Sequence, residues 1–507
     1  MKNLLTGSGR IMAAVIALFS VSANAQEIDT ISINNMFGMA SSNGILFQDI
    51  TAVNHGYRLG GETGPSAIFS MGFWMGGLDG DGQLHSANQL YFGEEDFYPG
   101  PIADDYTSSD YLDNYAQGIW TLFADEINDH IANWSGSGYV VPTAIAEWPA
   151  NGNASIGVSD ELAPYYDYNG NEMYDPENGD YPMIRGDQAS YIIFNDENGT
   201  HVNGAEVIGV EVHVMIYQYD TIPDLNSTTF MNVKLFNRRD EDYTDFAFSV
   251  FTDFDFGDVF NDYVGCDSAR NVSYTYNSHV EDPQWGATSG ALGLVNLDDQ
   301  MESSIMMNGS AGLMGWPVNP DEFYNSSLGL LTDGSPFYND GINGFTTSGY
   351  TTKYLHNGNP SLSQWSELVT GNPAGDRRTI SGMASQDFPG GEMLCYDFAL
   401  VYDIDFDSTN VENVSTMLAA VDVVQDWYND QEFECYSYAG TAGLEQESKE
   451  VLVFPNPTSG NFTVQFEGDY NLKLISMNGQ LVYEDSNLSG SSNVSADLES
   501  GMYILMI

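Results

Sequence analysis

Basic residues are scarce: 13 Lys and Arg stand against 72 Asp and Glu in 507 residues, a formal charge of −59. Nucleic-acid binding needs clustered cations that displace counterions from phosphates, so that class of partner is excluded. Cysteine is nearly absent. Cys266, Cys395 and Cys435 match no zinc spacing and allow at most one disulfide. Cys395 lies in a strand-like run and Cys435 just past a helix-like one, which makes them the favoured pair; three buried thiols are the alternative. Beyond residue 25 no apolar run reaches the roughly 20 residues of a membrane-spanning helix, so the mature chain is expected to have no transmembrane segment. There is no HExxH pair, no G-x-S-x-G elbow, no P-loop and no dinucleotide fingerprint, and the seven histidines are scattered. No catalytic residue is assigned.

Apolar and aromatic residues are plentiful, at 42% and 13%. Disordered acidic chains lack them, so this chain can build a core that offsets its conformational entropy.

The N-terminus has the three-part form of a secretory signal: Lys2 and Arg10, the apolar run Ile11 to Val21, then Ala23-Asn24-Ala25 before Gln26. Residues 1–25 are therefore read as a signal peptide and 26–435 as an extracellular body. Within the body, period-two alternation dominates. Ile208, Val210, Val212, Val214 and Ile216 alternate with Gly209, Glu211, His213 and Met215, the pattern of a strand with one buried face. Helical spacing is clear in two places: Trp120, Phe123, Ile127, Ile131 and Trp134 within 119–134, and Val414, Met417, Leu418, Val421 and Tyr428 within 411–428. The expected fold is mainly β, a large antiparallel β-sandwich-like body with a few helices. Residues 436–450 are small and polar, a linker. From 451 to 507 short strand-like runs resume: 451–454, 462–466, 471–476, 480–483 and 501–505, with an Asn478-Gly479 hairpin turn.

Two loops carry metal-like chemistry. In the first, Asp167, Asn169, Asn171 and Asp175 occupy positions 1, 3, 5 and 9 and Met173 offers its carbonyl, the layout of a calcium loop closed by Glu177 or Asp180. Glu172 stands where an EF-hand has glycine, and an Asx-turn loop bonded to its own backbone is the competing reading. In the second, Asp253 and Asp255 share a strand face, with Asp262 and Asp267 close behind. Carboxylates so close demand a cation or raised pKa values. A glycosidase acid and base drawn from Asp253, Asp255, Asp262 or Glu211 is the enzymatic alternative. Arg238-Arg239 and Arg377-Arg378 are read as neutralising acidic loops. Arg185-Gly186-Asp187 matches the tripeptide that integrins recognise and is discounted as chance.

Three ordered motifs near the C-terminus carry a resemblance: FPNPTSG at 454–460, LKLISMNGQLVYE at 472–484 and LESGMYIL at 498–505. Together they resemble the sorting domain of type IX secretion cargo, an Ig-like β-sandwich. The resemblance implies the type IX machinery as partner and export to the outer cell surface or medium. Such domains usually continue into a last basic strand, whereas this chain stops at Ile507, so the domain reads as truncated. The body is similar to an uncharacterised family of such cargo. That similarity rests on 144–153, 179–182, 185–188, 193–196, 209–213, 262–267 and 372–378, and it implies no catalytic residues. The expected function is calcium-stabilised adhesion or extracellular binding of a glycan or protein. The alternative is a polysaccharide-degrading hydrolase using a carboxylate pair.

Overall fold

The computed structural model describes residues 27–433, apart from 95, 279, 280, 299, 308–311, 340–348 and 432, together with 452–454, 460–476, 481–496 and 503–506. The expected signal peptide, the linker, Cys435 and the Asn478-Gly479 turn lie outside the described residues. The chain divides into two compact units, 1–439 and 440–507.

Two antiparallel sheets build the body. The larger runs in the order Ile119–Phe123, Gln188–Asn195, Val210–Gln218, Thr228–Asn237, Met393–Asp403, Ala291–Asn296, Val272–Asn277 and Asp262–Asp267, with Tyr98–Pro99 paired to Gln188–Asn195. The smaller runs Met301–Met307, Arg377–Met383, Tyr243–Phe254, Ser70–Leu78 and Leu84–Asn88, with Gln386–Phe388 on the edge of Tyr243–Phe254. One face of each meets the other in a shared core. Val212, Val214, Met231, Val233, Leu294 and Phe398 of the first sheet pack with Phe73, Phe248, Val250, Ile305 and Ile380 of the second. This is the expected sandwich.

The larger sheet is covered on its second face too. Helix Asn413–Asn429 buries Val414, Met417, Leu418, Val421, Val424 and Tyr428 against strands Met393–Asp403 and Ala291–Asn296, where the heptad-like spacing placed a helix. Loops holding Trp148 and Leu162 extend this layer. Strand Val210–Gln218 is consequently buried along its whole length, including Glu211 and His213. The alternation that predicted a single buried face marks polar residues facing a second, polar-lined interior. The other helical expectation is half corrected. Residues 119–123 pair as a strand with Gln188–Asn195, and the helix begins only at Ala124, with Asp125 and Glu126 in its first turn. Ile119-Trp-Thr-Leu-Phe is β-branched and aromatic, and sheet pairing outweighs the helical spacing.

In the C-terminal unit Leu452–Phe454, Asn461–Ser476, Leu481–Ser495 and Tyr503–Met506 form an antiparallel sheet around Phe462, Val464, Leu472, Leu474 and Val494. Eight residues of straight strand would separate Val464 from Leu472 by about 26 Å. Register shifts at Phe466/Asp469 and Tyr470/Leu472 bend the strand so that both halves serve one core.

Candidate metal centre

The smaller sheet brings acids together by register. Asp253 lies opposite Arg378 and Phe254 opposite Arg377 in an antiparallel pair. Neighbours on a strand point to opposite faces, and the two arginines serve different acids. Arg377 binds the buried Glu367 with Nε at 3.0 Å and Nη2 at 2.9 Å from Oε2. Arg378 turns the other way, with Nε 3.2 Å from Asp253 Oδ1 and Nη1 2.9 Å from Asp376 Oδ1.

Asp253, Asp255 and Asp376 each offer a carboxylate oxygen, and these atoms all lie within 4.8 Å of one another. Asp253 and Asp255 are 2% and 8% exposed, and Asp376 sits at the rim. Tyr91 donates its hydroxyl to Asp253 Oδ2 at 2.6 Å and accepts from Arg378 Nε at 2.9 Å. His55 Nε2 lies 2.9 Å from Asp255 Oδ2. Burial pushes the Asp253 carboxyl well above the usual carboxylate range; Arg378 opposes that shift and Asp255 adds to it. Burial and the charge of Asp253 also hold the Tyr91 phenol protonated as a donor.

Asp262 enters from the first residue of its strand, its carbonyl bonded to Gly375 N at 3.1 Å. Fully buried, its carboxyl is raised by desolvation and by Asp255, Asp282 and Asp376, while one backbone bond from Phe256 N lowers it. Asp262 Oδ1 meets no hydrogen-bond donor among the described residues, and neither do Asn261 Oδ1 and Asn277 Oδ1. The amide groups of these two asparagines are turned to Asp282 Oδ2, at 3.0 and 3.1 Å. Asp282 also receives Asp258 N, Gln284 N and Trp285 N, and its oxygens are saturated. The interior thus holds converging carboxylates and nearby bare carbonyl-type oxygens, the donor set of a hard cation. Oxygens that share a cation at 2.3–2.6 Å lie at most about 5 Å apart, as those of Asp253, Asp255 and Asp376 do.

The other expected ligands lie elsewhere. The loop at 167–180 closes on itself. Asp167 accepts from Gly170 N at 2.6 Å and Glu172 N at 2.7 Å. Asn169 and Asn171 turn their amide nitrogens to Asp175, each at 3.0 Å. Asp180 accepts from Tyr168 N at 2.9 Å and Asp175 N at 2.8 Å. Met173 is exposed and donates its N–H to Asn171 Oδ1 at 2.9 Å. This is the Asx-turn arrangement, with Glu172 at φ +61° making the turn. Asp267 stands at the far end of its strand, tied to Arg270 at 2.8 Å, which also grips Asp422. It takes no part in the centre. Glu211 is fully buried and receives Ile102 N at 2.8 Å, His213 Nε2 at 2.9 Å and Arg238 Nη2 at 2.6 Å. Arg185 is ion-paired to the buried Asp397, and Asp187 accepts from Asp220 N and Thr221 N, so the Arg-Gly-Asp tripeptide is used internally. Cys395 is disulfide-bonded and Cys266 is a free, buried thiol.

Sequence reasoning missed Asp376, His55 and Tyr91. Asp376 was legible beside Arg377-Arg378; His55 and Tyr91 reach the centre from distant loops and left no local signal.

A cleft of about 430 Å³ adjoins the centre, lined in part by Tyr91, Glu94, Asp96, Asn203, Trp316 and Val318. None of the carboxylates of the centre lines it, nor does Glu211.

Residues 452–507 match the family described as the secretion system C-terminal sorting domain. The chain ends in a sorting domain. This tail marks the protein as cargo of the type IX secretion machinery, exported to the cell surface or beyond it. Among the described residues no helix is long and apolar enough to cross a membrane. No curated protein matches the chain. A polysaccharide lyase of known structure is 11% identical, with 71% of this chain and 39% of that one covered, at a TM-score of 0.19. The lysyl oxidase of Pichia pastoris is 8% identical, with 75% and 53% covered, at a TM-score of 0.23. This chain therefore spans about two fifths and one half of those two proteins. At such scores neither likeness informs fold or activity.

Proposed function

We propose that this sorting-domain cargo is an extracellular binding or adhesion protein whose β body closes around a calcium ion held by Asp253, Asp255 and Asp376, beside the buried Asp262. In this reading residues 1–25 are removed on export. The observation that carries the calcium site is the convergence of three carboxylate oxygens within 4.8 Å, two of them on buried side chains. With all three carboxylates ionised, the single guanidinium of Arg378 leaves two negative charges inside the protein, which a divalent cation would neutralise. The donor set is oxygen only, which suits calcium over zinc or copper.

Burial argues against Asp253 and Asp255 as a glycosidase pair. A glycosidase acid and base must flank the scissile bond, and these two are enclosed and line no part of the adjoining cleft, whose own carboxylates are Glu94 and Asp96. Calorimetric titration of the mature protein with calcium tests the site. One equivalent bound by the wild type and none by Asp253→Asn/Asp255→Asn supports it; equal binding by both overturns it.

A further inference from the structure

The cleft beside the acidic centre has no assigned occupant. Its volume, about 430 Å³, suits a small ligand or one or two sugar rings. Its walls are of two kinds. Trp316 and Tyr91 form an aromatic corner, ring centroids 5.7 Å apart, with Leu90, Phe323 and Val318 continuing the apolar surface. Facing them are Glu94, Asp96, Asn88 and Asn203. Asp96 is spoken for, accepting from Asn88 N at 2.9 Å and Val202 N at 2.5 Å. Asn203 is not: its Oδ1 accepts from Ala205 N at 2.7 Å, but its buried Nδ2 finds no acceptor among the described residues.

The charge excludes anionic ligands. Among the described residues no Lys or Arg lines the cleft, two carboxylates do, and the whole chain carries −59. Uronates, sulfated glycans and phosphates are repelled. An aromatic corner that takes the C–H face of a pyranose and the exposed Glu94 carboxylate, which accepts from hydroxyl donors, together fit an uncharged sugar. The corner is also braced from behind. Arg378 stacks 4.7 Å from the centre of the Trp316 ring, and the Tyr91 hydroxyl bridges Arg378 and Asp253. The acidic centre therefore fixes both rings before any ligand arrives, which lowers the ordering cost of binding.

We infer that the Tyr91–Trp316 cleft binds a neutral saccharide. This rests on the reading of the chain as an extracellular binding protein and names its partner class; it does not require calcium at the centre. The test is titration of the calcium-saturated mature protein with neutral gluco-, manno- and xylo-oligosaccharides and with oligogalacturonate, followed by tryptophan fluorescence and calorimetry. At least one neutral oligosaccharide should bind, and oligogalacturonate should not. Trp316→Ala should abolish binding of the neutral sugar, and Trp316→Phe, which keeps a ring over Arg378, should restore part of it. Binding of oligogalacturonate in preference, binding unchanged in Trp316→Ala, or no binding of any neutral oligosaccharide would overturn the inference. The melting response to calcium, read on the same samples, is a separate result: retained without sugar binding it sinks the cleft alone, and lost with sugar binding intact it sinks the metal alone.

Discussion

Removing calcium should lower the melting temperature of the body by a calculable amount. A ligand that binds only the folded state at 100 times its dissociation constant stabilises by about 2.7 kcal/mol. Unfolding entropy is roughly 2.1 cal/mol/K per residue, so a body of about 400 residues changes stability by about 0.8 kcal/mol per degree near its midpoint. The expected drop on chelation is therefore about 3 °C, small but well resolved by scanning calorimetry. The centre adds a pH signature with a definite sign. Burial holds the folded-state pKa of Asp253 above its ordinary value of 3.8. A raised acid favours the fold while it is protonated, so metal-free protein is most stable near the unfolded value and loses stability as pH rises through the folded one. Bound calcium replaces that proton, and the calcium-loaded protein should show a flatter profile over the same window. Melts at pH 5 and pH 8, with calcium and with chelator, measure both effects. In Asp253→Asn/Asp255→Asn the calcium shift should vanish and the pH slope should shrink, leaving the part that the raised Asp262 contributes. A wild-type melt indifferent to chelation at pH 8, or a double variant that keeps the full shift, refutes the centre.

Other outcomes follow from neighbouring groups. Arg238→Met leaves Glu211 charged and buried without its guanidinium and should cost about 3–5 kcal/mol in urea unfolding; a loss under 1 kcal/mol would mean that His213 and Ile102 N suffice. Glu211 has a carboxyl that burial would raise but that Arg238 and His213 draw down to about 2. Its stabilisation is present above the ordinary value of 4.5 and should fade as pH falls toward 2, a slope that Glu211→Gln removes. Cys266 is buried with its thiol pushed up to about 12, so a thiol reagent should label native protein only at the rate of unfolding; fast labelling of the folded state contradicts the packing. Gly44 has φ +84° and an added Cβ would fall 2.5 Å from the Phe194 ring. Gly44→Ala should lower the urea midpoint by the equivalent of about 2–4 kcal/mol. Stability should also rise from low to roughly 0.5 M sodium chloride as the screening length falls below about 5 Å, and a flat response would mean that the surface acids are already compensated.

How far the fold could be read depends on which contacts are local. The helix at Asn413–Asn429 was visible because one face carries Val414, Met417, Leu418 and Val421 to the sheet. Residues 119–134 misled because Trp120 and Phe123 keep helical spacing to Ile127 while their backbone pairs with Gln188–Asn195, a partner some 70 residues away. The burial of both faces of Val210–Gln218 was equally hidden. Glu211 and His213 look like solvent-facing residues until Arg238, Tyr191 and Ile102 close over them.

The two acidic loops teach the same lesson from opposite directions. The loop at 167–180 has ligand-like spacing, yet geometry within the loop satisfies it: its carboxylates meet backbone N–H groups three to twelve residues away and asparagine amides within the loop. Spacing alone cannot distinguish an oxygen offered to a cation from one offered to its own backbone. Asp253 and Asp255 stand out in sequence only as close carboxylates, but they end a buried strand whose partner strand carries Arg378 in register, with Asp376 two residues earlier. Sheet pairing leaves their oxygens few local donors, so the charge must be met by Arg378, Tyr91, His55 and whatever else enters the space. In a chain with 72 acids and 13 cations, most carboxylates can be stabilised by turns at the surface. Of the few drawn into the core, Asp282 and Asp196 are met by backbone N–H groups, whereas Asp253 and Asp255 are where the proposed cation would matter for folding.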